Sequence, residues 1–196
     1  MNWLSRLLSK QVSPQQEEEI SSGQDPQASR FDEQYEGMGS GERASVMRRN
    51  GLKLSALEEC YADEHDAEFV RGRHFLDWGD ELRQLKREGR LDEALTLAME
   101  IIAATERGQA VEERNAPKRA AYFGGKPGDH LPRETPPGWT EHAAIILRKL
   151  ARFDEEVAVI DRWIAHARPP DRWVGNAHAK LLARRERAAE LANRDA

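Results

Sequence analysis

The chain has 196 residues, of which 33% are charged, with a formal net charge of -5 and a single cysteine, and its mean hydropathy is -0.80. So polar a composition cannot place every residue in a packed core, and part of the chain is expected to be disordered. No apolar run approaches the roughly 20 residues that span a bilayer, Cys60 alone excludes an internal disulfide and fits a reducing compartment, and the negative charge disfavours nonspecific nucleic-acid binding.

Residues 1–11 read as a short amphipathic helix, with Trp3, Leu4, Leu7 and Leu8 on one side and Arg6 and Lys10 on the other. Too short to be stable alone in water, it must lie on its own domain, a partner or a membrane surface. No small-residue cleavage site follows it, so a cleaved leader is not expected and a cytoplasmic protein is. Residues 12–50 read as a disordered linker in which Gly37-Met38-Gly39-Ser40-Gly41 cannot hold a helix. Residues 51–74 are ambiguous and partly helical: Leu52, Leu54, Leu57, Tyr61, Phe69 and Val70 are loosely periodic, but Gly72 and the acidic run Asp63-Glu64-His65-Asp66 weaken the pattern.

From Phe75 the periodicity strengthens. Phe75, Trp78, Leu82 and Leu85 recur at helical spacing, with Asp77 as the expected N-cap. A second stripe follows in Leu91, Ala94, Leu95, Ala98, Ile101 and Ile102, and Gly89 stands between the two, where a left-handed residue closes a helix. Residues 107–137 read as a long inserted loop, punctuated by Pro117, Gly124-Gly125, Pro127-Gly128, Pro132 and Pro136-Pro137. A second hairpin is predicted from Trp139, with Ala143, Ala144, Ile146, Leu147 and Leu150 on its first helix and Phe153, Val157, Ile160 and Ile164 on its second. A final helix over 176–193 carries Ala177, Leu181, Ala188 and Leu191 on one face, the form of a helix that closes a stack.

One phrase occurs twice. Gly89-Arg90-Leu91-Asp92-Glu93-Ala94 and Ala151-Arg152-Phe153-Asp154-Glu155-Glu156 each sit at the turn of a predicted hairpin, 62 positions apart. Trp78, Gly89 and Ala94 resemble, in order, the first-helix aromatic, turn glycine and small second-helix residue of a tetratricopeptide repeat, whose uninterrupted period is roughly 34 residues. In the second hairpin Thr140 and Glu156 stand at the aromatic and small positions, so it is similar to the family in shape rather than in motif. The resemblance covers residues 75–168 and implies an all-α architecture: two antiparallel hairpins within a domain at 75–193, with a C-terminal capping helix.

It also implies a groove lined by first helices that binds extended peptides, and the positions facing it are Arg83, Lys86, Arg87, Arg148 and Lys149. Such a row favours carboxylates or phosphates. The expected function is therefore a non-enzymatic adaptor binding another protein, an acidic peptide or a chain's C-terminal carboxylate. Two alternatives accompany it: a peripheral membrane or assembly factor docking weakly through Trp3, Leu4, Leu7 and Leu8, and a nucleic-acid-associated protein using the basic-aromatic stretch Lys118-Arg119-Ala120-Ala121-Tyr122-Phe123.

Catalytic and metal constellations give nothing specific. His74 with Asp77 and Glu81, and His65 within its acidic run, lack a recognised metal spacing, and His65 reads as part of a solvated loop. His142, His166 and His178 read as ordinary surface or packing residues. Gly124-Gly125-Lys126-Pro127-Gly128 lacks both the phosphate-loop spacing and a preceding strand. No cofactor, metal or catalytic residue is expected; an enzyme would need a deep pocket lined by His74 and His142.

Overall fold

The computed structural model describes residues 35–169, 172 and 176–195. Trp3, Leu4, Leu7, Leu8 and Trp173 lie outside the described residues, as does most of the predicted linker. The chain divides into two units, Met1–Met38 and Gly39–Ala196. Of the first, a turn is described in which Met38 N–H donates to Tyr35 O at 3.3 Å.

The second unit is all-α, with one two-residue-strand hairpin. Its elements are α1 (Ser40–Arg49), α2 (Ala56–Ala67), β1 (Phe69–Val70), β2 (Arg73–His74), a 3-10 turn (Phe75–Trp78), α3 (Gly79–Arg87), α4 (Leu91–Phe123), a 3-10 turn (Pro127–Asp129), α5 (Pro137–Lys149), α6 (Phe153–His166) and α7 (Ala177–Asp195). Among the described residues no helix is long and apolar enough to cross a membrane.

The first departure from the sequence reading is α1, which begins at Ser40 inside the segment expected to be linker. Gly41 is there for space: a Cβ on it would sit 3.0 Å from His65 Cβ and 3.2 Å from Tyr61 O. With Gly41, buried Ala44 and buried Ser45 on one side, α1 lies close along α2. Polar bonds fix the pair, Ser45 Oγ donating to Asp66 at 2.5 Å and Arg48 reaching Asp63 at 2.7 Å and also Asp66. The acidic run is thus helical, opened by a capping box in which Ser55 and Glu58 satisfy each other's backbone N–H. His65, read from the sequence as part of a solvated loop, stands half-buried on this helix. The β-hairpin turns through Arg71 and Gly72 at φ 48 and 84, the pair of positive φ angles that a two-residue turn of matching twist demands.

Asp77 does not cap α3. His74 precedes the 3-10 turn and accepts from Leu76 N–H, and Trp78 occupies the α3 N-cap without a side-chain bond.

The second departure is larger. Residues 107–123, expected to be loop, continue α4 to a length of 33 residues, roughly 50 Å at 1.5 Å per residue. The first half buries Ala94, Leu95, Leu97, Ala98, Ile101 and Ile102, and the second half buries Gly108, Glu112, Asn115, Ala116 and Ala120. That second set keeps helical spacing but is polar or small, and it packs against α2. Pro117 sits inside the helix on the exposed side, where the carbonyl it cannot bond is open to water. Irregular chain is confined to 124–136, and it is pinned: Arg133 N–H donates to Glu112 at 2.5 Å and Thr135 O accepts from Trp163 Nε1 at 3.1 Å.

One core joins α3, α4, α5 and α6, with Leu82, Leu97, Ile101, Ile146, Leu147, Ile160 and Trp163 fully or almost fully buried, and Leu181 of α7 completes it. The two turn phrases form the same backbone device. Arg90 N–H donates to Leu85 O, and Arg152 N–H to Leu147 O, both at 3.0 Å. The residue before each is left-handed, Gly89 at φ 75 and Ala151 at φ 56, the conformation of a Schellman close.

An L-residue with a Cβ disfavours that region by roughly 1–2 kcal/mol. Ala151 is exposed, so Ala151→Gly should raise unfolding free energy by about 1 kcal/mol in urea denaturation. Gly89→Ala, where no atom lies within 4 Å of the added Cβ, should lose about the same through backbone strain alone. Gly108→Ala is the control for close approach. A helical Gly→Ala ordinarily gains about 1 kcal/mol, but here the Cβ would stand 2.7 Å from Glu68 Cγ, so a net loss in Tm is expected.

Candidate functional site

The structure separates the five basic residues that the sequence groups. Arg83 is exposed on α3 and its NH2 lies 2.5 Å from Asp80 one turn earlier. Arg87 is exposed at the end of the same helix. Lys86, between them, is half-buried and donates to His142 Nδ1 on α5 at 2.9 Å. Lys149 is exposed at the end of α5, close enough to Lys86 to depress its pKa.

Arg148 faces the other way, a correction to the expected groove. It forks onto Glu156 at 2.7 and 2.8 Å and also donates to Arg184 O at 3.1 Å. Glu156, whose carboxylate is fully buried, receives a second guanidinium from Arg184 at 3.3 Å. The physical reason lies in the turn phrase: Glu156 occupies the place that Ala94 holds in the first hairpin, and a buried carboxylate requires cations and donors. Arg148 and Arg184 supply them, so Arg148 holds helices together.

What remains is a cluster across α3 and α5 made of Arg83, Lys86, His142 and Lys149, with Glu141 as the nearby acid. Burial first, and then Lys149, hold the Lys86 ammonium below its ordinary pKa, with Glu141 opposing. Burial and then Lys86 hold the His142 imidazole below its own. Trp139 flanks His142 at a ring separation of 6.0 Å and meets Phe75 edge-on at 6.2 Å. His142 is the member that the sequence reading passed over. The available signal was its i, i+7 spacing to Lys149, which puts both on one face of a helix.

Two other concavities stand in the second unit. A cavity of about 500 Å3 is lined by Glu64, His65, Glu68, His74, Arg119 and Arg133, among others. Its charges are largely matched. Arg119 engages Glu64, which also accepts from Asn115 Nδ2 at 3.1 Å; Arg133 engages Glu112 and lies 3.2 Å from Glu68. His74 Nδ1 accepts from Leu76 N–H at 3.4 Å, so its Nε2 donates to Glu68 at 3.0 Å. The rings of His65 and His74 stack at 5.1 Å. Burial pushes the Glu64 carboxyl up, against the bonds from Asn115 and Arg119. His74 thus lines this cavity, whereas His142 does not.

The second concavity, a groove of about 680 Å3, runs between α4 and α6 over Leu95, Met99, Ala103 and Val159, with Arg152 and Arg162 at its edge. Both arginines are committed, to Glu155 at 2.6 Å and to Glu106 at 2.5 Å.

Among the described residues, no group of three or more His, Cys, Asp or Glu side chains is arranged to hold a metal ion. Cys60 is fully buried, and burial raises its thiol pKa. The stretch Lys118–Phe123 forms the last turns of α4, with Tyr122 and Phe123 exposed and their rings 4.9 Å apart.

Compared with protein-family models, curated proteins and solved structures, the chain matches none.

The roles of Arg148 and Lys149 can be separated. Arg148→Met leaves a fully buried carboxylate with one guanidinium in place of two and should cost about 3 kcal/mol of unfolding free energy, in the range for breaking a buried pair. Lys149→Met, exposed and outside the core, should move it by under about 0.5 kcal/mol. Equal effects in urea denaturation would contradict this division.

Proposed function

We propose that this protein is a non-enzymatic cytoplasmic scaffold that binds an acidic segment of another protein at the α3–α5 face, through Lys86 and Lys149 with Arg83 and Arg87 beside them. The observation that carries this reading is the convergence of Lys86, His142 and Lys149 from two helices. The ionic interactions of Arg119, Arg133, Arg148, Arg162 and Arg184 are made with carboxylates inside the fold. At this face burial first, and then Lys149, hold Lys86 below its ordinary pKa against Glu141, and an incoming carboxylate would add counter-charge beside it.

The order of elements supports the same reading. Two hairpins closed by the same turn, each led by a helix contributing to one face, suit a tetratricopeptide-like stack whose first helices contact a ligand. Ala94, fully buried early in α4, fits the small residue such stacking uses.

Lys86→Glu with Lys149→Glu should weaken binding of an acidic peptide at least tenfold while far-ultraviolet circular dichroism stays unchanged, since Lys149 is exposed and Lys86 lies outside the core. Binding should also fall steeply between about 0.05 and 0.5 M salt, as expected for exposed charges. Retained affinity in the double variant, measured by fluorescence anisotropy, would overturn the assignment of this face.

A further inference from the structure

We propose that His142 makes this face proton-linked: docking of a carboxylate beside Lys86 and protonation of His142 are one coupled event, so acidic segments bind more tightly as the surroundings become mildly acidic. The inference rests on the proposed function of the same face and adds its regulation.

The geometry fixes the starting state. A lysine ammonium has donors only, so His142 Nδ1, 2.9 Å from Lys86 Nζ, is an acceptor. The free imidazole is therefore neutral and carries its proton on Nε2. A proton arriving from solvent at Nδ1 removes the acceptor that Lys86 uses and sets two cations side by side. The surrounding charges make this worse. From α3 Lys86 and Arg83 act on the ring, and from its own helix Glu141, which alone favours the protonated form, while Lys149 acts on Lys86.

A carboxylate changes each of these interactions. It gives Lys86 a replacement acceptor, compensates Lys149, and offers an oxygen to which a protonated Nδ1 can donate. The protonation that the free face disfavours becomes favourable in the complex. Burial and Lys86 hold the His142 pKa below its ordinary value in the free protein, and the bound anion raises it. Complex formation then takes up a proton, so affinity grows as pH falls through the interval between the two His142 pKa values and is flat above the higher one. Burial and then Lys149 hold the Lys86 pKa below its ordinary value as well, so the contribution of His142 is read from its own titration and from His142→Gln.

The test uses the full chain and a fluorescein-labelled hexaglutamate peptide, with Kd measured by anisotropy from about pH 5.5 to 8.5 at constant ionic strength. The peptide's carboxylates are mostly ionised throughout, with ordinary pKa values near 4.3. The expected result is a Kd that falls with pH by up to about tenfold per unit, the limit for one linked proton, and a flat profile for His142→Gln. In parallel, nuclear magnetic resonance follows the imidazole C–H signal of His142, assigned from the His142→Gln spectrum among the six histidines, with and without saturating unlabelled peptide. Its titration should move to higher pH in the complex. This measurement on the unaltered protein decides the matter even where His142→Gln perturbs folding. A Kd independent of pH, or a His142 titration unmoved by peptide, overturns the proton linkage and leaves the binding face standing. Absence of saturable peptide binding at every pH overturns both.

Discussion

The fold depends on buried carboxylates held by guanidinium groups from other elements. Glu64, Glu112 and Glu156 are each at most 6% exposed in their side chains, and each is met by an arginine from another element. Removing an ionised carboxylate from water carries a desolvation penalty of several kcal/mol, offset only by good geometry and further bonds. Those bonds are present: Asn115 donates to Glu64, the Arg133 backbone N–H to Glu112, and Arg184 adds to Arg148 on Glu156. Each of these sites joins elements that a purely apolar contact would join with less directional control. Arg119 ties α4 to α2, Arg133 ties the 124–136 connection to α4, and Arg148 with Arg184 ties α5, α6 and α7 at one point.

This sorting of charges is visible at the end of α5, where an arginine turns inward and a lysine stays exposed. Arginine presents a planar fork that matches a carboxylate bidentately and keeps its charge when desolvated, whereas lysine is a compact, strongly hydrated cation. Across α5 and α6 the forks turn inward: Arg148 onto Glu156 and Arg162 onto Glu106. Lys149, next to Arg148, keeps to the surface. Adjacent positions 148 and 149 thus have opposite fates, one determined by a buried acid eight residues on, the other by solvent. The cluster around His142 is the remainder left after the internal pairs are made.

Much of the helical domain is legible in the sequence because its core is apolar and periodic. The stripes Phe75–Leu85, Leu91–Ile102 and Ala143–Leu147 lie on a 3-10 turn and helices that largely bury them, and the final helix begins within a residue of its expected start. On α6 only Ile160 of the expected Phe153, Val157, Ile160 and Ile164 is fully buried; Val159 and Trp163 share the core with it and Ile164 is exposed. The reading fails where a buried face is not apolar. Residues 107–123 bury Gly108, Glu112, Asn115, Ala116 and Ala120 at spacings of four, three, one and four. That is a helical stripe written in polar and small residues, and Pro117 beside it adds a breaker signal. The same holds for α1, whose contact with α2 uses Gly41, Ala44 and Ser45. In both places glycine serves close approach between side chains or helices, which a propensity scale counts only as lost helix stability. At the α3–α5 face, spacing identified which residues share the ends of α3 and α5. It could not reveal that Arg148 has a partner on α6, because that pairing depends on which way a helix end rotates after the turn.

The repeated phrase shows how one backbone device accommodates two chemistries. Both turns close with a left-handed residue and the same backbone bond, so the exit direction of the following helix is set by the main chain alone. Four residues later the copies diverge. Ala94 lets α4 lie against its neighbours without a polar demand, whereas Glu156 at the equivalent place must be neutralised, and the helix carrying the second cation is α7. The closing helix is therefore bound to the second hairpin by a charge requirement as well as by Leu181 and Ala188 in the core. Whatever helix follows α6 must bring a second guanidinium to Glu156, a demand that Ala94 does not make at the equivalent place in the first hairpin.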